Sequence, residues 1–142
     1  MQLNQDYNTN TYSIRAYADD HVLVACPVRP NVIDTSHERP QPLQEVKRLE
    51  QSFVIGLERL DVTWPLKQIE DLDEKHLQEL VNWHPEIVIL GTGTKIRFPA
   101  QKHIAYFWQK GIGFEVMDSQ SACRTYNFLQ ADQRKVVAAI ML

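Results

Sequence analysis

The segment Pro85-Glu86-Ile87-Val88-Ile89-Leu90-Gly91 constrains the fold more than any other. Four large apolar residues in a row, three of them β-branched, stand between a proline that disfavours a preceding helix and a glycine. Successive strand residues point to opposite faces, so an unbroken apolar run is stable only where both faces are covered. The run therefore predicts Ile87–Leu90 as a central strand of a largely parallel sheet.

The residues that follow keep the rhythm such a sheet needs. Gly91 to Phe98 reads as a loop. Pro99 suits a first helical position, Ala100, Ile104, Phe107 and Trp108 share a face, and Gly111 is placed to cap the end. Phe114–Met117 reads as a strand. Asp118 or Ser119 caps a helix on which Ala122, Tyr126 and Leu129 stack, with Cys123 adjacent. Arg134–Met141 reads as a closing strand. Right-handed crossovers would lay these helices on the faces of the sheet. In the first half, Ser13–Tyr17 and Val22–Ala25 predict a hairpin. Residues 27–42, with four prolines, predict an irregular surface excursion, and 43–50 a short helix. Ser52–Leu57 and Asp61–Trp64 predict two more strands. Asp71 and Glu74 open a helix carrying Leu77, Leu80, Val81 and His84, which Pro85 ends. The fold class is α/β, with antiparallel β structure added by the N-terminal half.

At 142 residues the chain reads as one domain, 1–142, with a polar flexible arm over 1–10. That arm resembles neither a signal nor a transit peptide. No apolar stretch approaches the ~18 residues of a transmembrane helix. Two cysteines without ligand spacing read as free thiols of a reducing compartment, so the expected location is cytoplasmic. A net charge of -3 argues against a nucleic-acid partner. The charge is nonetheless uneven. Residues 1–86 hold 15 acids and 8 bases (-7), and residues 87–142 hold 3 acids and 7 bases (+4). The second half is thus a place for a local anion site, or simply a solvated surface.

Gly91-Thr92-Gly93 after a buried strand resembles the approach of backbone to phosphate in dinucleotide folds, with Asp118 where a ribose-binding acid would stand. The third glycine of that fingerprint falls at Ile96, however, and no phosphate-loop motif is present. Both glycines equally suit backbone angles closed to other residues. The loop ends still define a candidate crevice of Gly91, Thr92, Gly93, Lys95, Arg97, Asp118, Cys123 and Arg124. Its cations are the donors an anion needs, and a thiolate at Cys123 would gain from the helix N-terminus. The alternative for Cys123 is a buried thiol packed beside Ala122 and Tyr126. Arg124, at a position the helix dipole disfavours, either ties to Asp118 or the Gly91–Gly93 loop, receives an anionic ligand or acidic partner chain, or is a surface arginine pointing into water. No histidine pair has metal spacing and no serine sits in a nucleophile elbow, so no metal, cofactor or catalytic residue is assigned. Trp64, Trp83 and Trp108 read as core or edge packing, or one of them as an interface anchor.

Glu86-Ile87-Val88-Ile89-Leu90-Gly91-Thr92-Gly93, Arg97-Phe98-Pro99, Gly111-Ile112-Gly113, Glu115-Val116-Met117-Asp118 and Ser121-Ala122-Cys123-Arg124-Thr125-Tyr126-Asn127, together with Trp64-Pro65, carry a family resemblance over residues 52–142. The chain resembles the family of small domains of unknown function that includes the mitochondrial respiratory complex I assembly factor three. The resemblance implies three layers: a central mixed, mostly parallel sheet with helices on both faces and additional N-terminal β structure. It marks 27–49 as an insertion. It supplies no catalytic residue, and it implies a non-catalytic protein-interaction or assembly-factor-like module whose partners are other proteins, membrane-associated ones included. The alternative function is a small anionic-ligand binder or cryptic enzyme at the crevice after Leu90.

Overall fold

The computed structural model describes residues 10–142, so the expected arm lies outside the described residues except for Asn10. In chain order the strands are β1 (Ser13–Tyr17), β2 (Val22–Ala25), β3 (Arg29–Asp34), β4 (Gln41–Leu43), β5 (Val46–Leu49), β6 (Phe53–Gly56), β7 (Leu60–Asp61), β8 (Ile87–Gly91), β9 (Gly113–Met117) and β10 (Val136–Ile140). The helices are α1 (Glu74–Val81), α2 (Gln101–Gln109) and α3 (Ser119–Ala131), with a 3-10 turn at Ile69–Asp71.

A five-stranded mixed sheet runs in the order β7-β6-β10-β8-β9. β8 lies parallel to both neighbours, with Val88 opposite Val137 and Phe114, and β6 joins β10 antiparallel, with Val54 opposite Ala139. The strand alternation divides the core in two. Val54, Val88, Leu90, Val137 and Ala139 face a layer that includes α1 and Phe107 of α2, with Trp64, Leu66, Ile69 and Leu72 beside them. Phe53, Ile55, Ile89, Val136, Ala138 and Ile140 face α3, β1 and β2. Val88, Ile89 and Leu90 are all buried, as the apolar run predicted. The three-layer α/β architecture follows directly: both faces of the central strands are hydrophobic, and each has its own cover.

The second cover is itself partly a sheet, β1-β2-β5. Its outer strand β1 leans on α3. Asn127 accepts from Ile14 N (2.7 Å) and donates to Ile14 O (2.6 Å), while the Tyr126 hydroxyl donates to Tyr12 O (2.7 Å) and Thr11 donates to Gln130 (2.8 Å). One helix face thus supplies part of the hydrogen bonding that a further strand would have given this edge.

Several local expectations are corrected. Residues 43–50 are not a helix: Val46–Leu49 forms β5, paired along its length with β2, because that pairing satisfies backbone that a short exposed helix would leave open. The stretch 27–42 is not irregular throughout. β3 and β4 pair as an exposed hairpin with a register shift, and Pro30 and Pro42 sit where a missing donor costs little. The strand expected over Asp61–Trp64 shrinks to β7, and Trp64 turns into the core. α1 is capped by Asp73 and His76, which exchange the two hydrogen bonds of a capping box, rather than by Asp71 and Glu74. α2 begins at Gln101 with Ala100 as its cap, and Trp108 points to solvent instead of sharing the face of Phe107.

Candidate functional site

Among the described residues, concavities lie at opposite ends of the sheet. The first is the expected crevice, where β8 and β9 run out and α3 begins. Asp118 caps α3, its carboxylate accepting from Ser121 N and Ser121 Oγ (both 2.8 Å). These bonds hold its pKa below the usual carboxylate value, the Ser121 backbone donor contributing most and Arg124 adding a small attraction. Ser119 then joins three segments. Its hydroxyl accepts from Gly93 N (2.8 Å) and donates to Met141 O (2.6 Å), and its own N–H donates to Gly93 O (2.8 Å). Thr92 binds Met117 O through its N–H, and its hydroxyl donates to Lys95 O (2.7 Å) and accepts from Arg97 N (2.9 Å).

These contacts explain the glycines. A β-carbon on Gly91 would lie 3.0 Å from Ser119 Cα and from Ala122 Cβ, so helix and strand approach too closely for any side chain. Gly93 has φ +95°, the left-handed region. The backbone N–H groups of Thr92, Gly93, Arg97, Ser119 and Ser121, which a phosphate would need, are all bonded within the protein. The cavity left between Gly93, Ser119, Asp19 and the C-terminus measures only ≈ 70 Å³, room for a few waters, and an anion there would meet Asp19 and Asp118.

The structure brings Gly91, Thr92, Gly93, Asp118 and Cys123 together but turns the cations outward. Lys95 and Arg97 are exposed, Arg97 lies 3.7 Å from Glu70, and exposed Arg124 reaches Ser121 Oγ (3.4 Å). Arg124 therefore does not tie the two loops; Ser119 does. Cys123 is buried beside Ala122 and Tyr126, and desolvation, with a smaller push from Asp118, raises its thiol pKa to about 12. It is a neutral packing thiol.

The second concavity, ≈ 390 Å³, opens at the other end of the sheet. Three segments far apart in sequence form it: the β6–β7 turn, the residues after α1, and the start of β10. Trp83 is half-buried in its wall. The Arg59 guanidinium lies 4.4 Å from the centre of the Trp83 ring, and Gly56 admits that ring so closely that a β-carbon would stand 3.1 Å from it. His84 turns the chain at φ +55° before Pro85, and Lys135 also lines the groove. Sequence reasoning missed this groove. Glycine and proline flanked its parts, but no local pattern joins residues 56–59, 82–85 and 135–137.

Comparison with known proteins agrees with the architecture. A Xanthomonas campestris protein solved by NMR is similar to this chain with TM-score 0.72 and 30% identity, over 99% of this chain and 92% of that one. An Mth938-like domain from Bordetella pertussis shares the fold at TM-score 0.68 and 23% identity, over 99% of this chain and 92% of that one. The chain is also similar to the 13 kDa major membrane protein of Francisella tularensis subsp. holarctica (strain LVS), 32% identical over 76 residues, 54% of this chain and 62% of that protein. It is similar to the NADH dehydrogenase (ubiquinone) 1 alpha subcomplex assembly factor 3 of Drosophila melanogaster, 33% identical over 84 residues, 56% of this chain and 43% of that protein. The chain thus spans about half the length of the curated relatives it matches. Among the described residues no helix is long and apolar enough to cross a membrane. Residues 42–141 match one family along their whole length, and the chain belongs to it: the family described as protein of unknown function, DUF498/DUF598.

Proposed function

We propose that this chain is a non-catalytic interaction module that holds other proteins during assembly, with subunits of a respiratory NADH dehydrogenase as the first partners to look for. The similarity to the fly assembly factor supports the class of function. The observation that carries it in this chain is the set of exposed apolar side chains on α2 and the loop before it. Phe98 and Trp108 are each 68% exposed and Ile96 49%, while Phe107 on the same helix is fully buried. A helix that anchors itself with Phe107 and offers Trp108 to solvent, after a loop that exposes Phe98, has the residue types that dominate protein interfaces. Buried, unpaired Cys26 and Cys123 suit a cytoplasmic module.

The test is affinity purification of the tagged full chain from its own host, with the double variant Phe98→Ser/Trp108→Ser in parallel. Both side chains are exposed, so the variant should melt like the parent. NADH dehydrogenase subunits recovered with the parent and lost with the variant are expected. Their absence from the parent, or equal recovery with both chains, counts against the reading.

A further inference from the structure

We propose that the groove around Trp83 and Arg59 is a binding site for a small organic oxyanion, a carboxylate or a phosphate ester. It is distinct from the crevice after β8 and independent of the partner reading above.

The case rests on how the cations of this protein are used. Arg29, Arg48, Arg97 and Arg134 each pair with a glutamate, at 3.4, 2.8, 3.7 and 2.9 Å. Arg59 is held differently: its guanidinium carbon lies over the Trp83 ring, 4.4 Å from the ring centre. A cation–π contact of this kind uses no N–H donor, so the guanidinium fork stays available to a bidentate acceptor. Among the described residues no hydrogen bond or ion pair uses that fork, and Lys135, which also lines the groove, has no ion pair, as is true of every lysine among them. Glu58, also on the rim, leaves Arg59 unpaired although it is the adjacent residue. Neighbouring Arg134 pairs with Glu86, whose carboxylate also feels the Lys135 charge without forming an ion pair with it.

The walls suit an organic ligand rather than a bare ion. The ≈ 390 Å³ volume falls in the range of small-molecule sites, and the Trp83 ring and Val137 give it an apolar side. The site is also firmly built. Trp83 is fixed by the close approach to Gly56, and the β6–β7 turn that carries Arg59 is closed by Gly56 N donating to Arg59 O at 2.8 Å. The positive φ of His84 brings the chain around the rim at a conformation non-glycine residues seldom take.

The test titrates the full chain with inorganic phosphate, glycerol 3-phosphate, citrate and benzoate, following the Trp83 indole N–H by NMR. A saturable shift with at least one organic probe is expected, weaker at high salt. Arg59→Gln and Lys135→Gln should each weaken it about tenfold or more, the loss of a charged hydrogen bond. Lys95→Gln, at the other end of the sheet, should leave it unchanged. Phosphate-ester probes binding alone would identify a phosphate site, and carboxylates alone a carboxylate site. No saturable shift with any probe, or a shift that survives both groove variants, overturns the proposal. If Arg59→Gln disturbs the fold through Trp83, Lys135→Gln decides by itself.

Discussion

Asn127 offers the sharpest test of how the layers are held together. The residue is 2% exposed, and its side chain bonds both the N–H and the C=O of Ile14, which lies 113 residues earlier. Asn127→Ala removes both and leaves an N–H and a C=O stranded in the interface between α3 and β1. Each stranded group costs about 1–3 kcal/mol, so the variant should lose about 2–6 kcal/mol, a sizeable part of a typical 5–15 kcal/mol stability. For a chain of this size that lowers Tm by roughly 3 °C per kcal/mol. Asn127→Asp separates the two bonds. The carboxylate still accepts from Ile14 N but confronts Ile14 O with a second acceptor and carries a buried charge, so it should cost as much as alanine or more. Urea unfolding followed by circular dichroism measures both. Equal m-values with a shifted midpoint would show that native-state stability changed rather than the unfolded ensemble. A loss below about 0.5 kcal/mol in Asn127→Ala would refute the reasoning, since that is the range of surface substitutions.

Ser119→Ala should cost about 2–4 kcal/mol by the same measurement, because Gly93 N and Met141 O lose their shared partner; near-parental stability would mean that the hydroxyl does not join the three segments. Val88→Asp should cost about 4 kcal/mol or more, an unpaired carboxylate between two apolar layers, and a variant with parental resistance to proteolysis would contradict the core assignment. The Cys123 thiol, with its pKa raised to about 12 by burial, should escape labelling by a thiol reagent in a Cys26→Ser background except at the rate of unfolding. The sign for stability follows from the raised value. The contribution is complete below the unfolded thiol pKa of roughly 8.5 and is lost as pH rises toward 12, so the urea midpoint should fall across that window and fall less in Cys123→Ala.

Much of this architecture was legible locally. The apolar run at Ile87–Leu90, the hairpin at Ser13–Tyr17 and Val22–Ala25, the cap at Asp118 and the turn at Gly111 depend on residues within a few positions of one another. Side-chain period, capping and the angles open to glycine settle them before any tertiary contact forms. The errors fall where a partner far along the chain outweighs local preference. Residues 46–49 became a strand because β2 lay beside them, and Trp64 left its expected strand for the core. The candidate site divides the same way. The sequence placed Gly91, Thr92, Gly93 and Asp118 around one strand end. Only the folded chain showed that Ser119, 26 residues after Gly93 and 22 before Met141, uses the hydrogen bonds a ligand would have needed. The Trp83 groove left no local trace, because its three segments meet only once β6, α1 and β10 have packed. Local sequence determines which elements form. Which polar groups remain unpaired, and so which surfaces are open to a ligand, is decided by contacts between residues that only tertiary structure brings within reach.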